Sequence, residues 1–137
     1  MKSLNAKLLA LAGTLAIAAT QASAQVVLKA SVPFSFQAGV SGVMPSGDYQ
    51  IRHDGYKWTF TKIDSRVQAL TQSTTEVQGK ATDTPHLVFQ CRANHCTLSR
   101  VVPGAGEPGG YWRAPKPSKA DAGELAQIVV VPASVAR

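Results

Sequence analysis

The chain has 137 residues and carries 14 Lys and Arg against 8 Asp and Glu, a formal net charge of +6 with neutral histidines. This length supports one domain with a single hydrophobic core. The basic residues are scattered and do not form a basic stripe interleaved with aromatic side chains, so nucleic acid is not an expected partner.

Residues 1–24 have the pattern of a cleaved export signal. Two lysines precede an apolar run at residues 8–19, and a small-x-small cleavage box ends at Ala24. The apolar run is shorter than the ~20 residues that cross a bilayer, and no other stretch approaches that length. The alternative is an ordinary buried N-terminal helix. We expect an exported protein, periplasmic or secreted, whose mature chain of residues 25–137 is one β-domain without a transmembrane segment.

The clearest strand pattern lies at residues 49–60, with the sequence YQIRHDGYKWTF. Asp54-Gly55 is typical of a two-residue hairpin turn, because a type I′ turn requires positive φ at both central positions. A turn at this point places Ile51 opposite Trp58 and gathers the aromatic and apolar side chains on one face. The sequence therefore predicts an antiparallel hairpin that is buried on one side.

Other alternating or apolar stretches predict the remaining strands. These stretches are residues 25–36, 66–73, 87–91, 96–102 and 127–131. Residues 76–84 are predicted to form a loop. Residues 103–123 contain five Gly and four Pro, so we predict a flexible segment outside the core, with at most one helical turn at 118–124. About seven short strands indicate an all-β fold, either an antiparallel sandwich or a small barrel.

The only two cysteines stand at the ends of residues 91–96, CRANHC. In an exported protein, two cysteines that flank a hairpin loop favour a disulfide. The strand register sets Cys91 directly opposite Cys96, within disulfide reach. Closing so short a loop contributes about 2 kcal/mol. We predict a staple that pins one hairpin and does not hold the whole domain together.

Metal binding is the main alternative for the same segment. A zinc site takes four ligands, and His95, His86 and His53 are the histidines that could join the cysteines. Period-2 alternation, however, sets His95 and Cys96 on opposite faces. A thioredoxin-type pair has two intervening residues, and covalent haem attachment needs a histidine after the second cysteine. We predict no metal and no cofactor.

No group of residues has the pattern of a catalytic site. The triplet Arg52-His53-Asp54 is explained by its place at the end of the hairpin. None of the serines lies in a Gly-x-Ser-x-Gly elbow, and there is no phosphate-binding glycine loop or dinucleotide fingerprint. Four carboxylates could pair for glycoside hydrolysis, namely Asp48, Asp64, Glu107 and Glu124. That reaction depends on the distance between the two carboxyl groups, which the sequence does not give. We predict that the protein is not an enzyme and has no catalytic residues.

Tyr111, Trp112 and Arg113 form the best candidate for a contact surface. Tyr, Trp and Arg are the residue types that dominate binding hot spots, and here they follow two glycines in a breaker-rich segment. Long segments of this kind are often functional. The alternative is that Tyr111 and Trp112 fold back and fill one end of the sandwich.

Two motifs carry a resemblance to known proteins. Residues 31–36 read SVPFSF and residues 44–49 read MPSGDY, and a Leu-Val-Phe segment follows at 87–89. The chain resembles a group of uncharacterised small exported all-β proteins of environmental bacteria, which open with Val-Pro-Phe-x-Phe and then Pro-small-Gly-x-Tyr. The resemblance covers the first half of the mature chain, implies an exported all-β domain and contributes no catalytic residues.

These observations favour a non-enzymatic binding or structural β-domain of the cell envelope or secretome, whose partner is a protein or an envelope polysaccharide. The alternatives are a small apolar-ligand carrier with a barrel cavity, a secreted inhibitor of a hydrolase and, less favoured, a small hydrolase. Assembly into a fibre is a variant of the first hypothesis. In that variant, Pro33 and the terminal strand at residues 127–131 are potential edges for strand exchange.

Overall fold

A computed structural model of the chain describes residues 26–93, 95–114 and 125–136. The predicted signal peptide and the predicted helical turn at 118–124 lie outside the described residues. Within them the fold is all-β, as predicted, with eleven strands and no helix. It follows that no helix of the described ranges is suited in length and hydropathy to span a membrane.

The strands are β1 (Val27–Val32), β2 (Phe36–Gln37), β3 (Val43–Met44), β4 (Gly47–Asp54), β5 (Lys57–Lys62), β6 (Gln68–Gln72), β7 (Thr75–Val77), β8 (His86–Arg92), β9 (His95–Val102), β10 (Gly109–Tyr111) and β11 (Gln127–Ala136). Seven of them have five residues or more and correspond to the seven predicted strands. The other four have two or three residues each, and β7 occupies the start of the segment predicted as a loop.

The strands form one nearly closed, barrel-like sheet. Its main path runs β3-β2-β9-β8-β11-β1-β4-β5-β6, while β10 pairs with both β9 and β7. Because β7 begins three residues after β6 ends, the chain itself carries the sheet from β6 through β7 and β10 back to β9. All pairings are antiparallel except the short parallel contact between β2 and β9.

Strand β11 joins the two halves of the barrel, one containing β2, β3, β8 and β9 and the other containing β1, β4, β5 and β6. Its first part pairs with β8 as far as Pro132, and its second part, from Ala133, pairs with β1. The prediction that this strand ends at Pro132 is wrong. Proline lacks an N–H donor, and here it falls where the strand exchanges one neighbour for the other, so the ladder tolerates it.

The β4–β5 hairpin forms with a register that differs from the predicted one by two residues. Ile51 lies opposite Phe60 and not opposite Trp58. Gly55 has φ 59° and takes the first central position of the turn, with Tyr56 second, which is typical of a type II′ turn and not of Asp-Gly type I′. A shift of two residues preserves the side-chain faces, so the predicted buried face is confirmed.

The β8–β9 hairpin shows why the predicted register fails at its far end. With Cys91 opposite Cys96, a regular ladder would place Leu87 opposite Arg100, an apolar residue against a charge. A register shift between Val88 and Phe89 moves Leu87 opposite Val101, and both side chains are fully buried. This β-bulge adds one residue to β9 and restores the alternation of buried and exposed side chains along the hairpin. The predicted pairs nearer to the turn, including the two cysteines, are confirmed.

Aromatic side chains fill the interior of the barrel. After β1 the chain crosses to the other half, and this crossing places Phe36 between the two halves of the sheet. Its ring makes edge contacts at 5.3 Å with Tyr49, 6.1 Å with Phe60 and 5.3 Å with Phe89. Such buried rings dominate the energetics of a core, since truncating one to alanine typically costs about 3–5 kcal/mol.

Candidate functional site

The structure joins Cys91 and Cys96 in a disulfide, which supports the predicted staple. The three histidines lie on three different strands. His95 is exposed at the start of β9, His53 stacks on Trp58 with ring centroids 4.4 Å apart, and His86 lies at the start of β8. Within the described residues, no three His, Cys, Asp or Glu side chains converge as metal ligands would.

Trp112 is a core residue, which corrects its interpretation as part of a contact surface. Its side chain is 2 % exposed, and its Nε1 donates a hydrogen bond to the buried Thr71 Oγ1 at 3.0 Å. The ring lies 5.7 Å from that of Trp58. Tyr111 is half-buried on β10, and only Arg113 is exposed. The alternative stated for Trp112, that it fills the end of the fold, is the one the structure supports.

The prediction that residues 103–123 lie outside the core is therefore wrong for residues 109–112, which form β10 and the buried tryptophan. Residues 115–124 lie outside the described ranges. Residues 109–112 can enter the core because Gly110 has no side chain. A Cβ at this position would lie 2.7 Å from Trp58 Nε1 and 3.0 Å from Trp112 Cη2. The glycine that looks like a strand breaker is the residue that lets β10 pass over two tryptophan rings.

The Pro-small-Gly-x-Tyr motif has a structural explanation. The hydroxyl of Tyr49, at the end of the motif, donates a hydrogen bond to the backbone carbonyl of Pro45, at its beginning. Gly47 has φ 151°, and the side chain of Lys62 fills the space that a Cβ would need. The motif thus closes a turn and anchors a buried tyrosine, a role comparable to the tyrosine corner of β-sandwiches.

Beyond these structural residues, the first half of β11 provides a candidate binding surface. Residues 127–131 pair with β8 on one side, whereas β1 joins β11 only from Ala133 onward. On their other side these residues have no strand partner among the described ranges. Ile128 and Val130 on the outer face are 61 % and 59 % exposed, and Leu125 just before them is 92 % exposed. We call residues 127–131 the β11 edge.

A cleft continues the β11 edge at the point where β1 and β11 separate. It has a volume of about 480 Å³, and its apolar lining includes Ala30 and Ala133. Lys29 and Asp48 contribute charges of opposite sign to its walls, and Ser31 Oγ donates a hydrogen bond to Asp48 Oδ1. No histidine lines this cleft. We call it the strand-split cleft.

The terminal strand was predicted as a potential edge, and its first half has that character. The other predicted edge residue, Pro33, lies between β1 and β2 and outside both strands. The exposure of Ile128 and Val130 could not be read from the sequence, because a continuous apolar run such as QIVVV shows no alternation that separates an outer face from an inner one.

Comparisons of the chain with protein-family models, with curated proteins and with solved structures find no match. The resemblance to small exported β-proteins stays a prediction.

Proposed function

We propose that this protein is an exported, non-enzymatic binding domain that captures an extended segment of a partner protein by strand addition at the β11 edge. The observation that carries the proposal is the one-sided pairing of residues 127–131, combined with the exposure of Ile128 and Val130.

Strand addition uses the chemistry that this edge offers. Unpaired backbone N–H and C=O groups on an edge strand supply main-chain hydrogen bonds to an added strand, and alternate side chains supply specificity. Proteins usually protect such edges with a lysine, an inward charge, a proline or a bulge. Residues 127–131 contain no charge, and the pairing with β8 bears no bulge along them. Pro132 limits the edge at one end only. An unprotected apolar edge is expected to have a partner.

The strand-split cleft indicates how the added segment ends. A strand that runs along residues 127–131 toward Pro132 would reach this cleft next, because both lie along the same strand. There the Lys29 ammonium and the Asp48 carboxylate can bind a polar terminus or backbone groups. The fitting partner is an extended segment with apolar, β-branched residues at alternate positions and a polar end.

A carrier of small apolar ligands is not favoured by the packing. A carrier of this kind needs an apolar cavity inside the barrel. Here the interior positions are occupied by large buried side chains, namely Trp58, Trp112, Tyr49, Phe36, Phe60 and Phe89.

Site-specific photo-crosslinking tests the proposal. A photoreactive amino acid is placed at Ile128 in the protein expressed in its own host, with Leu70 on β6 as the matched control. Among the described strands β6 also pairs on one side only, and Leu70 is 68 % exposed, but glutamines occupy the outer positions on either side of it. We expect adducts from position 128 and not from position 70, and we expect Val130→Lys to abolish them without changing the thermal stability. In the purified complex, hydrogen exchange at residues 127–131 should slow. Equal crosslinking at both positions, or unchanged exchange at the β11 edge, would contradict the proposal.

A further inference from the structure

A second cleft lies away from the β11 edge, between two loops at the opposite side of β8. One wall is the loop at 78–83, and the other is formed by the end of β9 and the loop at 103–109. The cleft has a volume of about 220 Å³. Charged and titratable side chains from all these segments line it, namely Lys80, Asp83, His86, Arg100 and Glu107. We call it the loop cleft.

Backbone contacts hold the walls of the loop cleft in place. The N–H of Gly106 donates to the carbonyl of Lys80 at 3.0 Å, and the N–H of Ala105 donates to the carbonyl of Asp83 at 3.3 Å. Gly79 lies against the carbonyl of Glu107 so closely that a Cβ would not fit. The shape of the cleft is therefore set by the backbone before any ligand enters, which lowers the entropy lost on binding.

The cationic groups of the cleft are free to bind a ligand. Lys62 and Asp64 form the one ion pair within the described ranges, so neither Arg100 nor Lys80 has a carboxylate partner there. The Asp83 carboxylate accepts a hydrogen bond from the backbone N–H of Lys80 at 2.8 Å, which commits one of its oxygens to the loop. Arg and Lys side chains together form a suitable site for a carboxylate, since charge-assisted hydrogen bonds are the strong ones.

The cleft also holds hydrogen-bond acceptors. The Nδ1 of His86 lies 2.7 Å from the carbonyl oxygen of Thr84. A carbonyl can only accept, so Nδ1 carries the hydrogen, and in the neutral ring Nε2 is left as an acceptor. The exposed Glu107 carboxylate is a second acceptor. Both can receive hydrogen bonds from hydroxyl groups, while Val102 and Pro103 add apolar surface.

We propose that the loop cleft binds an anionic sugar of the uronic acid type. The carboxylate of the sugar would contact Arg100 and Lys80, its hydroxyl groups would donate to His86 Nε2 and Glu107, and the C–H face of its ring would cover the apolar lining. A ligand that combines a carboxylate, hydroxyl donors and an apolar ring face uses all three kinds of group in the cleft. This site is separate from the β11 edge and does not depend on strand addition.

The test is a titration of the mature protein with D-glucuronate, followed by the chemical shifts of its backbone amides. Glucose, which lacks the carboxylate, and acetate, which lacks the hydroxyls, are titrated at the same ionic strength. We expect saturable shifts at residues 79–86 and 100–107 with glucuronate, and affinities weaker by about tenfold or more for the other two, because each loses one set of contacts.

Arg100→Gln should weaken glucuronate binding by about tenfold, since it removes the charge-assisted hydrogen bonds to the carboxylate. Arg52→Gln is the matched control, because Arg52 is also an exposed strand arginine but lies on β4, and this variant should bind as the native protein does. Acetate or inorganic phosphate binding as tightly as glucuronate would overturn the sugar assignment. Tighter binding of glycine would point to an amino acid site, and unchanged binding by Arg100→Gln would remove the cleft from consideration.

Discussion

Gly110 lets β10 approach two buried indole rings closely. The rings of Trp58 and Trp112 cross at 63° with centroids 5.7 Å apart, and β10 passes over them with its glycine backbone. The buried Trp58 Nε1 has no hydrogen-bond acceptor among the described residues. The Trp58 ring is held by packing, since it makes an edge contact with Trp112 and stacks on the His53 ring.

Gly110→Ala is expected to lower the free energy of unfolding by about 1–3 kcal/mol, because the added methyl group overpacks the contact between the two rings. Urea denaturation followed by tryptophan fluorescence measures this change. Gly42→Ala is the control, since a Cβ at Gly42 meets nothing within 4 Å. Equal stabilities of the two variants would show that β10 can move away from the rings at no cost.

Burial, and secondarily the charge of Asp64, raises the pKa of Tyr49 above its ordinary value of 10.0. The folded chain therefore keeps the phenol proton to a higher pH than the unfolded chain. The stability that Tyr49 contributes is fully present below about pH 10 and decreases as the pH rises toward the folded-state pKa.

The difference in unfolding free energy between the native protein and Tyr49→Phe should therefore shrink above about pH 10, because phenylalanine has no proton to lose. Urea denaturation on both sides of this pH measures the difference. Tyr56→Phe, in which a half-exposed tyrosine at the hairpin turn is changed, is the control for removing a hydroxyl group. A difference that stays constant with pH would mean that Tyr49 titrates alike in both states.

At the scale of single elements, the β8–β9 hairpin is held both by its ladder and by its disulfide. The other cross-strand pairs of this hairpin do not depend on the bond between Cys91 and Cys96. Reduction should therefore lower the unfolding free energy by about 2 kcal/mol and leave the native fold in place.

Urea denaturation with and without a thiol reductant measures this effect. The chain has no other cysteines, so the reductant acts on one bond only. The double variant Cys91→Ser with Cys96→Ser should match the reduced protein and be insensitive to the reductant. Alkylation of the native protein without reductant would contradict the staple, as would complete unfolding on reduction.

Several details of the elements could not be predicted because they depend on neighbours elsewhere in the chain. The turn of the first hairpin was located correctly, but both Asp-Gly and Gly-Tyr fit a two-residue turn, and the choice between them sets the register. The bulge beside Val88 was visible only as a mismatch of Leu87 with Arg100. Pro132 acts as a strand breaker in sequence, and only the change of partners along β11 makes it acceptable.

For the whole molecule, the sequence predicts the all-β class and the seven longer strands, because their alternation and turns are local signals. The four short strands have no such signal and depend on tertiary pairing. The same is true of barrel closure, which requires β1 to find β11 and β7 to find β10. The residues singled out as functional candidates divide in the same way between local signals and tertiary contacts. The edge character of residues 127–131 was predicted, whereas the choice between surface and core for Trp112 stayed open, because Trp58 and Thr71, which contact it, are distant in sequence.

The shared position of β11 has a kinetic consequence. Val27 in β1 pairs with Ala136 in β11, so one side of β1 stays unpaired until β11 has been synthesised. Contacts of such high sequence separation slow folding, since a long loop must close before they form. We expect the chain to remain open and accessible to chaperones throughout synthesis, and to complete its barrel only when its last ten-residue strand arrives.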